Sequence, residues 1–169
     1  MWRIALMVAA FFFLKNGNGK EPSGRPRGDS KGGARGLRNN NPGNIKFNAA
    51  NAWQGKISYE NNTDEGKTFE QFVEMKYGTR AMIKLLQKYY RDYRLVTLNQ
   101  IICRYAPDSC SKASAYIPSV AQFAGIDPNM PFPDDPAIWK KIIQAMAKFE
   151  NGVPVTVAQL EYDQAYQLV

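Results

Sequence analysis

The chain has no histidine among its 169 residues, so its chemistry must come from carboxylates, hydroxyls and amides. Ser-His-Asp and Cys-His catalysis are excluded, as is every metal site with a histidine ligand. Two cysteines, Cys103 and Cys110, are too few for a Cys-only zinc site. No metal and no cofactor is expected. The six residues between the cysteines could be closed by a disulfide in an oxidising compartment, or the two side chains could stand unpaired.

The most informative carboxylate is Glu150. Between Pro136 and Asn151 the apolar residues Ile138, Trp139, Ile142, Ile143, Met146 and Phe149 recur at helical spacing. Glu150 lies four residues after Met146 and seven after Ile143, on the same face. Lys140, Lys141, Gln144 and Lys148 take the opposite one. An acid on the core-facing stripe is desolvated, and it also stands at the negative end of the helix dipole. Both effects favour a carboxylic acid that keeps its proton near neutral pH, as a general acid for glycosidic cleavage requires. The plain alternative is a frayed helix end from which Glu150 reaches water.

Glycosidases commonly set a high-pKa acid opposite an ionised partner. Glu60, Asp64 and Glu65 cluster among turn residues and could supply one, although such acids are usually just solvated. Trp53, Tyr59, Tyr105 and Tyr116 would suit the faces of sugars if they line a cleft, and otherwise belong to core or rim.

The elements that must position these groups are mostly helices. The stripe Met82, Leu85, Leu86, Tyr89, Tyr90, Tyr93 predicts a helix over 78–93. Thr97 is an N-cap candidate for a helix over 98–105, ended by Pro107. A helix over 116–124 stops at Gly125. Asp135 as N-cap and Pro136 at the first turn open the helix that carries Glu150, with Gly152 just beyond its end. A last short helix follows Thr156. Before the helices, RNNNPGNI (residues 38–45) is turn chemistry, and Gly55, Asn61, Asn62 and Gly66 between apolar residues suggest an irregular β-hairpin within 53–72. The fold class expected is mainly α, within α+β.

Charge divides the chain. Residues 1–38 hold eight Lys/Arg against two Asp/Glu, whereas 39–169 hold fourteen against thirteen. The net charge of +7 therefore belongs to the tail, and no sequence-specific nucleic-acid binding is expected of the domain. Residues 1–14 are apolar apart from Arg3 but shorter than the roughly 20 residues that a spanning helix needs. They form a signal-like segment or a short membrane anchor, and bulky Phe11-Phe12-Phe13-Leu14 disfavours cleavage. Residues 15–35 are a basic, flexible linker. With the rest of the stretch to 38 they could touch lipid or another phosphate-rich polymer. The domain is expected over 36–169. Positive charge is heavier after the anchor than before it, a bias toward the cytoplasmic side that conflicts with action on a cell wall outside a virion.

Taken in order, RGLRNNNPGNI, W-Q-G at 53–55, F-E-Q-F at 69–72, G-T-R-A at 78–81, I-I-C-R-Y-A-P at 101–107 and F-E-N-G at 149–152 resemble one family. It comprises phage and prophage virion proteins described as structural protein P5-like, of lysozyme-like or lytic-transglycosylase-like character. The likeness covers about residues 35–152. A more distant likeness links Asn41–Lys46, Trp53–Gly55 and Phe69–Phe72 to the later motifs of flagellar-type glucosaminidases. Glu150-Asn151-Gly152 is similar to their leading Glu-Ser-Gly, here moved to the C-terminal side. Arg104-Tyr105-Ala106-Pro107 with Tyr116, Ile117 and Val120 is similar to the transglycosylase tyrosine motif. The resemblance implies a circularly permuted lysozyme-like site that acts on peptidoglycan. It places the catalytic acid on Glu150 and the site tyrosine on Tyr105, with Asp64 as the chosen hairpin acid and Asn44, Trp53, Tyr59 and Tyr116 as substrate contacts.

The expected function is cleavage of peptidoglycan glycan strands, by a lytic transglycosylase or by a muramidase or glucosaminidase, on a protein held at a virion membrane, in a virion or at the bacterial envelope. The alternatives are a virion or membrane structural protein that keeps the fold without turnover, and a nucleic-acid binder acting through residues 15–38. The departures from the family are the anchor-like N-terminus and Pro118, which lies close to the start of its helix.

Overall fold

A computed structural model describes residues 33–110 and 114–169. The anchor-like segment 1–14 and linker residues 15–32 lie outside the described residues. Among those described, no helix is long and apolar enough to cross a membrane.

The domain is mainly α-helical. In chain order the helices are α1 (Arg35–Arg38), α2 (Met75–Arg91), α3 (Leu98–Tyr105), α4 (Tyr116–Ala124), α5 (Pro136–Asn151) and α6 (Tyr162–Gln167). Short 3-10 turns occupy Glu65–Lys67 and Pro107–Cys110. The helix boundaries follow local chemistry. Asp135 caps α5 by accepting from the amides of Ala137 (2.7 Å) and Ile138 (3.3 Å), and Pro136 sits at a first-turn position where a missing N–H costs nothing. Gly152, at φ 65°, closes that helix in the left-handed conformation that only glycine adopts without strain. Thr97 and Gln100 form a reciprocal capping box for α3. Pro118 falls in the first turn of α4, where its lack of a donor is harmless, so the start at Tyr116 stands.

The long helix α2 differs from expectation, running 75–91 rather than 78–93. It starts earlier because the extended Glu74 leads straight into it. It stops earlier because the chain turns at Arg94, at φ 57°.

The core gathers on the inner face of α5. Trp139, Ile142, Ile143 and Met146 are buried against Met82, Ile83 and Leu86 of α2 and Val120 and Ala124 of α4, with Leu98, Ile101 and Ile102 of α3 completing it. Each such fully buried side chain contributes roughly 1.5–3 kcal/mol. Tyr90, Phe132 and Trp139 meet with ring centroids 5.2–5.5 Å apart. The indole N–H of Trp139 donates to Asp134 at 2.7 Å, which leaves no unpaired polar atom on that buried ring.

Within 53–72, where an irregular β-hairpin is expected, the chain pairs through isolated bridges and forms no regular ladder. Isolated antiparallel bridges join Lys46 to Phe69 and Lys56 to Phe72. Residues 68–73 thus run between 45–47 and 55–57 without a named strand. The physical reason lies in the turn residues. Gly55, Gly66 and Lys67 all have positive φ, which breaks the alternation a ladder needs. Buried polar groups hold the segment instead. Glu70 pairs with Lys56 at 3.0 Å and accepts from the Asn48 amide at 3.1 Å. Cys103 and Cys110, which the sequence left open, are joined as a disulfide.

Candidate active site

Three elements meet at the end of α5. Glu150 is the last residue but one of that helix, and its side chain is only partly exposed. Its Oε1 accepts from the phenol of Tyr116, the first residue of α4, at 2.8 Å. Its Oε2 accepts from the Asn44 amide at 3.3 Å, and the same amide donates to the Glu150 backbone carbonyl at 3.1 Å. Asn44 adopts φ 48°, a left-handed conformation that asparagine tolerates better than most side chains. That conformation turns its amide toward α5.

The asparagine-rich loop is built by its own side chains. Asn41 donates to the carbonyls of Ile45 (3.0 Å) and Glu70 (2.9 Å), and its Oδ1 accepts from the Ile45 amide at 2.9 Å. Asn151, beside Glu150, donates to the Pro42 carbonyl at 2.8 Å. The loop and the end of α5 are therefore tied together on both sides of the carboxylate. Tyr105, at the end of α3, donates to the Gly43 carbonyl. A Cβ at residue 43 would overlap that phenol oxygen, so the close approach requires glycine.

Burial pushes the Glu150 carboxyl above the ordinary glutamate value, and the Tyr116 and Asn44 hydrogen bonds oppose that shift only in part. Burial, followed by the nearby Glu150 charge, raises the phenols of Tyr105 and Tyr116 well above the usual tyrosine value. Both phenols thus remain protonated hydrogen-bond donors. The result is one carboxyl that binds its proton more tightly than an ordinary glutamate, oriented by two neutral donors in a partly dehydrated position. Such a group can protonate a leaving oxygen and, once ionised, accept a proton back.

The structure brings Glu150, Asn44, Tyr105 and Tyr116 together, with two roles altered. Tyr116 was expected to meet a sugar face, but it is buried and stacks on Phe149 with ring centroids 4.1 Å apart. Both faces of its usefulness are spent inside the protein, so it is a positioning residue for Glu150. Asn44 likewise uses its amide on Glu150.

The other candidates lie elsewhere. Asp64 has a fully buried side chain, accepts from Asn39 at 2.8 Å and lies 3.7 Å from the Arg35 Nε. It is walled in beneath the loop, and no contact joins it to Glu150. Its place fits a structural anchor better than an ionised partner across a sugar, because Asn39 and Arg35 hold its carboxylate inward. Trp53 lines a cavity of about 360 Å³ with Lys84, Gln87, Lys88 and Arg91 of α2, residues outside the Glu150 cluster. Tyr59 is 50% exposed, packs edge-on against Phe47 and lies under Lys67.

Sequence reasoning missed Gly43, Phe149 and Asn151 as parts of the site. Gly43 and Asn151 stand inside quoted motifs, but their roles depend on segments 62 and 109 residues apart meeting in space. No sequence pattern signals that.

No family model matches the chain. It is similar to "Protein P5" of Pseudoalteromonas phage PM2, with 38% identity over 121 residues, which cover 70% of this chain and 72% of the relative.

Proposed function

The chain belongs to the family of phage PM2 protein P5, and from that premise we propose that it is a virion-associated enzyme that cleaves peptidoglycan glycan strands with Glu150 as its general acid and base. The reading rests on one observation. A partly buried carboxyl, raised in pKa by desolvation, is held by the Tyr116 phenol and the Asn44 amide. Supporting it are the collinear motifs that resemble lysozyme-like proteins, which imply that this helical domain is a lysozyme-like fold in permuted order.

In the proposed reaction Glu150 gives its proton to the glycosidic oxygen as the bond to the anomeric carbon breaks. The resulting carboxylate then takes the proton of the sugar's C6 hydroxyl while that oxygen closes a 1,6-anhydro ring. Attack by water in its place would leave a reducing end, with the same carboxylate as base. One carboxylate suffices for the first course, which agrees with the remote position of Asp64. The signal-like or anchor-like N-terminus would hold the domain at a virion membrane or the bacterial envelope.

Mass spectrometry of purified sacculi digested by the full chain tests the proposal. Anhydro ends or new reducing ends support it and tell the two courses apart. Binding to sacculi without any released muropeptide would make the protein a structural relative and overturn it.

Two variants probe the assignment of roles. Tyr116→Phe removes a donor that favours the ionised form of Glu150, so the Glu150 pKa rises further. The alkaline limb of the activity profile should then move to higher pH, and a limb that stays or moves down contradicts the role given to Tyr116. Asp64→Asn should keep turnover within about threefold while lowering stability by roughly 1–3 kcal/mol, the usual cost of disturbing a buried polar partner. A loss of turnover of a hundredfold or more in a folded Asp64→Asn protein would restore Asp64 to the catalytic set.

A further inference from the structure

Beside the Glu150 cluster, α2 and α3 present an aromatic shelf that the proposed chemistry does not use. Tyr89 on α2 and Tyr93, two residues past its end, stack with ring centroids 6.0 Å apart and planes inclined by only 19°. The Arg104 guanidinium stands over both, 5.8 Å from the Tyr89 centroid and 5.7 Å from that of Tyr93. Arg104 immediately precedes Tyr105, whose phenol donates to the Gly43 carbonyl in the loop from which Asn44 reaches Glu150. The shelf therefore continues from the candidate active site through Tyr105.

Three features make the shelf fit for binding. Arg104 is exposed, and Tyr93 is 48% exposed. No carboxylate among the described residues pairs with Arg104, although Lys88 close by is paired with Asp92 at 3.3 Å. The ring faces hold the guanidinium plane by cation–π attraction, which limits its rotamers while leaving N–H groups free to donate. A planar, pre-positioned fork of donors suits a carboxylate better than a neutral hydroxyl.

We propose that Arg104, seated over Tyr89 and Tyr93, is a carboxylate-recognition point that selects glycan strands bearing acid groups on their side branches. This deepens the proposed function and rests on it for the identity of the polymer. In peptidoglycan such acids come from stem peptides or, where those have been removed, from the bare lactyl group. Both offer the same carboxylate chemistry to the guanidinium.

The test measures binding, so it does not depend on turnover. Calorimetry of the full chain carrying Glu150→Gln would use four soluble probes: peptidoglycan strands with stem peptides, strands stripped to the lactyl carboxylate, strands with their carboxyls amidated, and a neutral chito-oligosaccharide. Adding Arg104→Ala should weaken binding of an acid-bearing strand roughly tenfold or more, as expected for loss of a charge-assisted hydrogen bond. Binding of the amidated and neutral probes should change by less than about twofold. Whether the stem-peptide or the lactyl strand shows the larger loss identifies the carboxylate. Arg104→Lys should recover part of the affinity, because it keeps the charge but not the fork. Lys141→Ala, a change of equal charge on the exposed side of α5, should have no such effect.

Equal weakening of all four probes, equal weakening by Lys141→Ala, or no change with Arg104→Ala would each overturn the proposal. Acid-selective binding without cleavage by the unaltered chain would instead sink the enzymatic reading and leave the recognition point standing.

Discussion

Replacing Glu150 with Gln should lower peptidoglycan cleavage by at least about a hundredfold, since a positioned general acid supplies roughly 10²–10⁴-fold in rate. Gln has the same shape and can still accept from the Tyr116 phenol, while the Asn44 amide, which loses its side-chain acceptor, keeps its bond to the backbone carbonyl of residue 150. Stability should move in the opposite direction to activity. In the folded protein the Glu150 carboxyl binds its proton more tightly than ordinary glutamate, because burial disfavours the charge. The folded state therefore holds more protons than the unfolded state, and stability is lost as pH rises from the unfolded value of about 4.3 through the raised folded one. Thermal melts should consequently show Glu150→Gln more stable than the parent above that window, with the advantage fading in acid. A variant that clears sacculi at the parental rate, or that melts lower at neutral pH, contradicts the role given to this carboxyl.

The largest structural effect is expected from Gly78→Ala. Helix propensity alone predicts that alanine stabilises an interior helical position by about 0.5–1 kcal/mol. Sterics decide otherwise here. A Cβ at residue 78 would overlap the backbone carbonyl of Asn40 and come within 3.1 Å of the Phe72 ring. Asn40 has little freedom to yield. It is held at φ 50°, and its side-chain amide donates to the Phe72 carbonyl at 3.0 Å. Its neighbour Asn39 accepts from the Phe72 amide, also at 3.0 Å. Displacing this loop from α2 should cost more than about 3 kcal/mol and lower Tm by about 10 °C or more. Turnover should fall with it, because Asn44 and Gly43 lie in the same loop. Lys141→Ala serves as the neutral control. A Gly78→Ala protein that melts at or above the parental temperature would show that propensity outweighs the close approach.

The helices could be read from the chain because their signals are local. Asp135-Pro136, Thr97 with Gln100, and the glycines at 125 and 152 mark helix ends by chemistry confined to a few residues. The placement of Glu150 on the inner face of α5 followed from helical spacing for the same reason. What escaped was non-local. The irregular segment 39–73 takes its shape from buried side-chain contacts such as Lys56–Glu70 and Asn41–Glu70, and alternation of residue types carries no trace of these. Asp64 was the chosen hairpin acid for the site, but its side chain is buried because Arg35 and Asn39 come from another part of the chain to meet it. Tyr116 was placed beside the site for its aromatic character, yet its hydroxyl is the part that matters.

Cleavage by this site requires that one carboxyl, Glu150, hold a proton to give. Carbon-13 NMR of the side-chain carboxyls, titrated with pH and compared with the Glu150→Gln protein to assign the resonance, reads it directly. The Glu150 resonance should titrate above the ordinary glutamate value, and its midpoint should coincide with the alkaline limb of peptidoglycan cleavage. A midpoint at or below that ordinary value would mean that Glu150 is a common surface acid, with no proton to give when a glycosidic bond must break.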